Sequence, residues 1–259
     1  MNGYWVIRTY EAGSVGEKIK YWVPGERPKK SVGRTASDIR KVQQNEASAV
    51  KRLARIINAN FTQGDILLGL DYDSEGYKKL LSRSAKIKNK RKARGDTLPE
   101  EEAEEMECIR QAAEQEMTNF LRRVKRAGEI KYIAVTSDMD GKTGESVRVH
   151  HHLVINREAL EACKEKWGLG GVNYNGLSGQ ADYTDIAAYL MEQVRRIPDA
   201  KKYTASRNLT RPAPKDRVAL NGSELRVPKG GQLLHRNEFS PGMPQYIRYI
   251  LPHKKDPVS

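Results

Sequence analysis

Apolar residues recur along this chain with two different periods, and the switches between them outline its elements. From Ser37 onward, Ile39, Val42, Val50, Leu53, Ile56 and Ile57 fall at helical spacing, with Ser37 or Asp38 placed to cap the start and Asn60 near the end. Ile66 to Tyr72 is a short apolar run that predicts a buried strand. Met106, Ile109, Ala113, Met117, Phe120 and Val124, spaced 3, 4, 4, 3 and 4, predict the best-defined helix. Further strands are predicted at Lys131–Thr136, Ser146–Ile155 and Gly171–Asn175, and further helices at Arg157–Trp167 and Thr184–Arg196.

The resulting order is strand, helix, strand, strand, helix, strand, helix, with the middle strands joined by a turn and the outer ones by helices. That order predicts an α+β fold, a central antiparallel sheet with helices on one face, resembling the βαββαβ plan of RNA-recognition and ferredoxin-like domains. Residues 1–60 are expected to form an N-terminal arm or hairpin followed by a helix, and residues 61–200 the central domain. Residues 201–259, rich in Pro and Gly, are expected to be a lightly folded basic tail.

Charge is unevenly distributed among these segments. The chain of 259 residues carries a formal net charge of +13, and the segment from Lys201 to Ser259, with 12 Lys or Arg against 4 Asp or Glu, supplies +8 of it. Such an excess favours a polyanionic partner, because each neutralised phosphate releases condensed counterions. Arg83–Arg94 adds seven basic residues and no acid, in what is expected to be a loop. The eight glutamates between Glu100 and Glu116 open the best-defined helix, where the positive end of its dipole accommodates them. No stretch approaches the roughly 20 apolar residues that span a bilayer, and no basic-then-apolar leader opens the chain, so a cytoplasmic location away from membranes is expected. Cys108 and Cys163 are isolated and expected to be reduced core or boundary residues.

Candidate chemistry begins in Val147-Arg148-Val149-His150-His151-His152-Leu153-Val154-Ile155, which holds three of the five histidines. On a strand, side chains alternate, so His150 and His152 share a face about 6–7 Å apart along the chain, as two ligands of one metal require, and His151 joins the core-forming set. Neutral imidazole suits Mn, Zn, Co or Ni, and can hold Mg when oxygen ligands complete the sphere. Gly141-Lys142-Thr143 ends like a phosphate-binding loop, but Thr136 stands where its first glycine is required, so no P-loop is expected. His235 and His253, in the basic tail, are not assigned to a metal.

Further along the chain, the helix Ile186-Ala187-Ala188-Tyr189-Leu190-Met191-Glu192 carries a tyrosine. Taken in order, the apolar strand Ile66–Tyr72, the strand His150-His151-His152-Leu153-Val154-Ile155 and this helix resemble the three motifs of the HUH endonucleases. With Ser206-Arg207-Asn208-Leu209 added, they look like single-tyrosine rolling-circle replication initiators of bacterial plasmids and mobile elements, over roughly residues 45 to 212. The resemblance implies Tyr189 as nucleophile and His150 and His152 as ligands of a divalent Mn or Mg. It also implies a third, acidic ligand from the preceding strand, for which Asp138 is preferred over Asp140 and Glu145. Three features depart from the pattern: His151 fills the hydrophobic slot, Glu192 stands where many relatives have lysine, and Asp185 stands where two-tyrosine initiators have their other tyrosine.

A phenol with a pKa of about 10 needs help to attack a phosphodiester at neutral pH, and a histidine-held metal provides it. The resemblance implies cleavage of a single-stranded origin, at a hairpin or nick site, through a 5′-phosphotyrosine link, with host helicase and polymerase acting in trans. Lys201, Lys202, Arg207 and Arg211 are expected to contact DNA phosphates. Alternatives are a single-tyrosine transposase or relaxase, and a non-catalytic nucleic-acid-binding module. Tyr174, Tyr183 and Tyr203 are rival nucleophiles.

Overall fold

In chain order the computed structural model runs β1 (Gly3–Ala12), β2 (Val15–Pro24), α1 (Ile39–Asn60), β3 (Ile66–Leu70), α2 (Ser74–Arg94), α3 (Glu101–Ala127), β4 (Tyr132–Met139), β5 (Ser146–Ile155), a 3-10 turn leading into α4 (Leu160–Lys166), β6 (Val172–Gly176), α5 (Thr184–Glu192), β7 (Thr204–Ala205), β8 (Lys215–Ala219), β9 (Gln232–Arg236) and β10 (Gln245–Ile250). It describes residues 3–25, 39–98, 100–194, 202–219, 224–238 and 243–252. The fold is α+β with two antiparallel five-stranded sheets. Among the described residues no helix is long and apolar enough to cross a membrane.

The chain divides into two compact units: residues 1–60, 180–187 and 210–259 form one, and residues 61–179 and 188–209 the other. In the first unit the strand order is β8-β1-β2-β10-β9. The N-terminal hairpin β1–β2 is flanked by strands from the region expected to be a lightly folded tail, with β8 paired to β1 and β10 paired to β2. Pro- and Gly-rich composition suggests little structure there, but those residues fall largely between strands, as at the turn where Gly231 N–H donates to the Pro228 carbonyl at 2.9 Å. Within β10 the apolar residues alternate faces, and Tyr246, Ile247 and Tyr249 are all buried. Helix α1 lies against β1. There Arg55 binds buried Glu17 at 2.6 Å and stacks over Tyr10 with its guanidinium 3.6 Å from the ring centre.

In the second unit the strand order is β6-β3-β5-β4-β7, all neighbours antiparallel. Leu68, Leu70, Leu153 and Ile155 from β3 and β5 pack with Phe120 and Val124 of α3, Cys163 of α4 and Trp167, all buried in one cluster. Period-two burial along β5 and the three-four spacing along α3 put these residues on facing surfaces.

Residues 83–94, expected to be a loop, are the second half of helix α2. The Asp73 carboxylate caps its start by accepting from Gly76 N–H at 2.6 Å, and Gly95, at φ 74°, ends it in the left-handed conformation. Lys, Arg and Ala are good helix formers, and Gly76, Leu80 and Ser84 give the helix a buried stripe at i, i+4, i+8. The basic run and the acidic run of α3 are partners: Arg83 pairs with Glu116, Lys88 with Glu101 at 3.1 Å, and Arg91 approaches Glu104 to 4.0 Å. Arg123 also binds Glu116, at 2.9 Å.

The start of α2 approaches the loop before β6 closely. Asp73 N–H donates to the Leu169 carbonyl at 3.0 Å, and a methyl group on Gly76 would collide with the same carbonyl. Gly76→Ala should therefore displace α2 and cost about 1–3 kcal/mol of stability. A lower urea midpoint, followed by circular dichroism, is the expected result; an unchanged midpoint would mean the helix start moves freely.

Candidate active site

Strand β5 builds the site. His151 is fully buried, between the Tyr72 hydroxyl, 2.9 Å from Nε2, and Thr136 Oγ1, 3.0 Å from Nδ1. Its ring lies within 5.7 Å of both Tyr72 and Trp167. Both nitrogens of the neutral imidazole are thereby used, one donating and one accepting. Burial, reinforced by His150 and His152, pushes the His151 pKa down to about 3, so the ring is neutral in the folded state at physiological pH.

Alternation then turns His150 and His152 to the opposite face. Their Nε2 atoms are 3.0 Å apart and the rings meet edge to face. His150 Nδ1 lies 3.0 Å from the Arg148 carbonyl, a contact that requires a ring N–H there and points Nε2 towards His152. Burial first, and His150 second, lowers the His152 pKa to about 4 against the opposing charge of Asp71, so His152 is also neutral. Two imidazole nitrogens at this separation match two adjacent ligands of one ion, for which bonds of about 2.1 Å meeting near a right angle give roughly 3.0 Å. A backbone carbonyl fixing the far nitrogen of His150 is a usual accompaniment of such a ligand. The spacing of the pair therefore fits two ligand positions of a divalent metal.

Tyr189 is on the last part of α5. Its hydroxyl is 3.4 Å from His152 Nε2 and its ring stacks edge-on against His152, with centroids 5.2 Å apart. Just beyond the helix, Ser137 Oγ of β4 donates to the Gln193 carbonyl at 2.7 Å, tying this end to the sheet. The Gln193 side chain also lies over Gly141, where an added Cβ would approach its Nε2 to 2.7 Å. The Tyr189 ring is 39% exposed, so its hydroxyl is open to a macromolecular substrate. Partial burial raises its pKa, which makes the phenol a weaker acid than in water. Glu192 is exposed and its Cβ faces Gly141.

The three acids considered as a further ligand are placed elsewhere. Asp138 is buried and interacts electrostatically with Arg110 and Glu114 of α3. Asp140 accepts from Lys142 N–H at 2.7 Å and Thr143 N–H at 3.0 Å, closing the β4–β5 turn, and those bonds lower its pKa. Glu145 ends that turn, its carbonyl accepting from Asp140 N–H. Among the described residues no group of three or more His, Cys, Asp or Glu is gathered that could hold a metal. The acid whose charge reaches His152 is Asp71, held by Asn173 Nδ2 at 2.9 Å. Its signal was available: Gly69 pairs with His152, and Asp71 lies two residues further along on the same period.

Of the rival tyrosines, Tyr183 is buried in the first unit, its N–H donating to Asn58 Oδ1 at 2.8 Å, while exposed Tyr174 faces Lys164. Among the expected phosphate contacts, Arg207 and Arg211 are exposed and Lys202 is half-buried; Lys201 lies outside the described residues, as do Arg195, Arg196 and His253. His235 is on β9, beside Tyr246. Compared with protein-family models, with curated proteins and with solved structures, the chain has no significant match.

His151→Ala should cost about 2–4 kcal/mol, since it opens a cavity and leaves the Tyr72 hydroxyl without its buried partner. His150→Ala should cost well under half of that. Paired denaturation curves test the assignment, which fails if His150→Ala is the more destabilising.

Proposed function

We propose that the second unit nicks and rejoins single-stranded DNA through Tyr189, as a single-tyrosine rolling-circle initiator of the HUH class does, with His150 and His152 holding Mn or Mg. The observation that carries this reading is the convergence of three polar atoms on one face: the Nε2 atoms of His150 and His152, 3.0 Å apart, and the Tyr189 hydroxyl, 3.4 Å from the second. The strand order supports it too. Across the sheet the strands run β6-β3-β5-β4, so that, numbered in chain order, the fourth, first, third and second strands follow one another, the order of a βαββαβ domain.

The metal, when bound, would polarise the scissile phosphate and offset the charge that develops on it. Tyr189 Oη forms the new bond to phosphorus, the bond from phosphorus to the 3′ oxygen breaks, the phenolic proton leaves to solvent, and the departing 3′ oxygen takes up a proton. A 5′-phosphotyrosine and a free 3′ hydroxyl result. The reverse attack by that hydroxyl rejoins the strand without ATP, because the ester keeps the energy of the original bond. Ser137 acts through the end of α5, holding the helix that carries Tyr189. Helicase and polymerase would then be supplied by the host.

Tyr189→Phe removes one oxygen and keeps the ring against His152. It should abolish the covalent protein–oligonucleotide adduct and strand rejoining while leaving DNA affinity within about twofold, and mass spectrometry of trapped adducts should locate the wild-type link at residue 189. His150→Ala, His152→Ala and chelation of divalent ions should each abolish adduct formation. Persistence of a 5′-linked adduct in Tyr189→Phe would remove Tyr189 as nucleophile.

The exposed cations near the end of the second unit give a separate expectation. Arg207→Gln should weaken binding across unrelated sequences and reduce the slope of log affinity against log salt by roughly 0.7, the share of one phosphate contact on a single strand. An unchanged slope would place the phosphate contacts elsewhere.

A further inference from the structure

We infer that one face of the first unit's sheet is a stacking platform for single-stranded nucleic acid, separate from the tyrosine site and independent of its assignment. Trp5 of β1 and Trp22 of β2 are directly opposite each other in the register, with ring centroids 5.4 Å apart and planes at 69°. Period-two alternation puts them on the same face as Ile7, Lys20, Arg217 and Lys215, because Ile7 pairs with both Lys20 and Arg217, and Thr9 pairs with Lys215. Lys20 is buried, with its Nζ 5.2 Å from the Trp5 ring centre. Half of this face is covered: Ile7, Ile247 and Tyr249 pack under Leu225 and Val227. At the end of the face beyond that cover, Trp22 is 41% exposed and Trp5 half-buried.

A cross-strand tryptophan pair can staple a hairpin by itself. The staple accounts for the contact between the rings but not for the setting. Arg217 and Lys215 are exposed on the neighbouring strand, with no acidic ion-pair partner among the described residues, one and two positions of the same face along from Trp5. Aromatic faces beside unneutralised cations are the arrangement that binds single strands: bases stack on the rings whatever their identity, while phosphates meet the cations. The acid of β8, Asp216, is turned to the opposite face, where Arg8 holds it at 2.7 Å. The face thus presents rings and positive charge together, and the acid of β1 that shares it, Glu11, lies at the far end by Gly16 and Tyr249. A second copy of this chain is the competing occupant, and it would place like charges against each other.

The test titrates an oligothymidylate of about 16 nucleotides, the upper end of a single-strand site, into the full chain carrying Tyr189→Phe, following tryptophan fluorescence. Stacking should quench emission from Trp5 and Trp22, whereas Trp167 is buried in the second unit's core. Trp22→Leu should remove most of the quench and weaken binding roughly tenfold or more. Arg217→Gln together with Lys215→Gln, both at exposed positions that leave folding intact, should weaken binding and flatten its salt dependence. The proposal is overturned if the double variant binds as tightly as the parent with the same salt slope. It is equally overturned if Trp22→Leu leaves quench and affinity unchanged, or if its effect is to convert a dimer into a monomer.

Discussion

The face that each residue of β5 presents is fixed by one constraint, the burial of Val149, Leu153 and Ile155 on the core side of the strand. Because side chains alternate with a period of two, a slip of one residue would send every side chain of the strand to the other face. In the observed register His151 sits between Tyr72 and Thr136 with both ring nitrogens satisfied. The slipped register would put another imidazole between those hydroxyls, because residues 150 to 152 are all histidine, but it would expose Val149, Leu153 and Ile155 and turn Arg148 into the core. The apolar set on either side of the histidines thus selects which imidazole is buried, and alternation turns the other two outward.

Much of this was legible from residues alone, and the limits have physical causes. The strand at Ser146–Ile155 and the face of α3 follow from local periodicity, because burial on one side leaves a regular trace in the sequence. Helix α2 was not legible: the partners that make its basic residues acceptable, Glu101, Glu104 and Glu116, are on another helix, and long-range neutralisation leaves no local pattern. The strands of the C-terminal region pair with the N-terminal hairpin, across almost the whole of the sequence, so their composition was visible and their partners were not. In the candidate site, the shared face of His150 and His152 follows from alternation, whereas Tyr189, which the fold brings beside His152, was singled out by the resemblance and not by helix spacing alone. Asp138 too came with the resemblance, and it stands where the β4–β5 register shifts between Ser137 and Met139, an irregularity that local spacing does not reveal.

The helix pair also changes what the net charge means. A formal +13 suggests a uniformly basic surface, but Arg83, Lys88 and Arg91 face the acids of α3. Cations such as Arg207, Arg211, Lys215 and Arg217 are exposed instead. Their position, more than the total, decides where a polyanion is attracted. Internal pairing therefore has to be subtracted before charge is read as affinity.

The discontinuity of the first unit has a consequence for the order in which the protein can acquire its structure. Strands β1 and β2 leave the ribosome well before their outer neighbours β8 and β10, which are translated only after the whole of the second unit. That unit is almost contiguous in sequence, so it can close while the hairpin still waits with both lateral rows of N–H and C=O groups open to solvent. Open strand borders invite pairing with other nascent chains. The hairpin carries Arg8, Lys18 and Lys20 among its charged residues, and charge on a strand of that kind disfavours edge-to-edge pairing. Completion of the first sheet is in this sense a timing device: it registers that translation has passed β10.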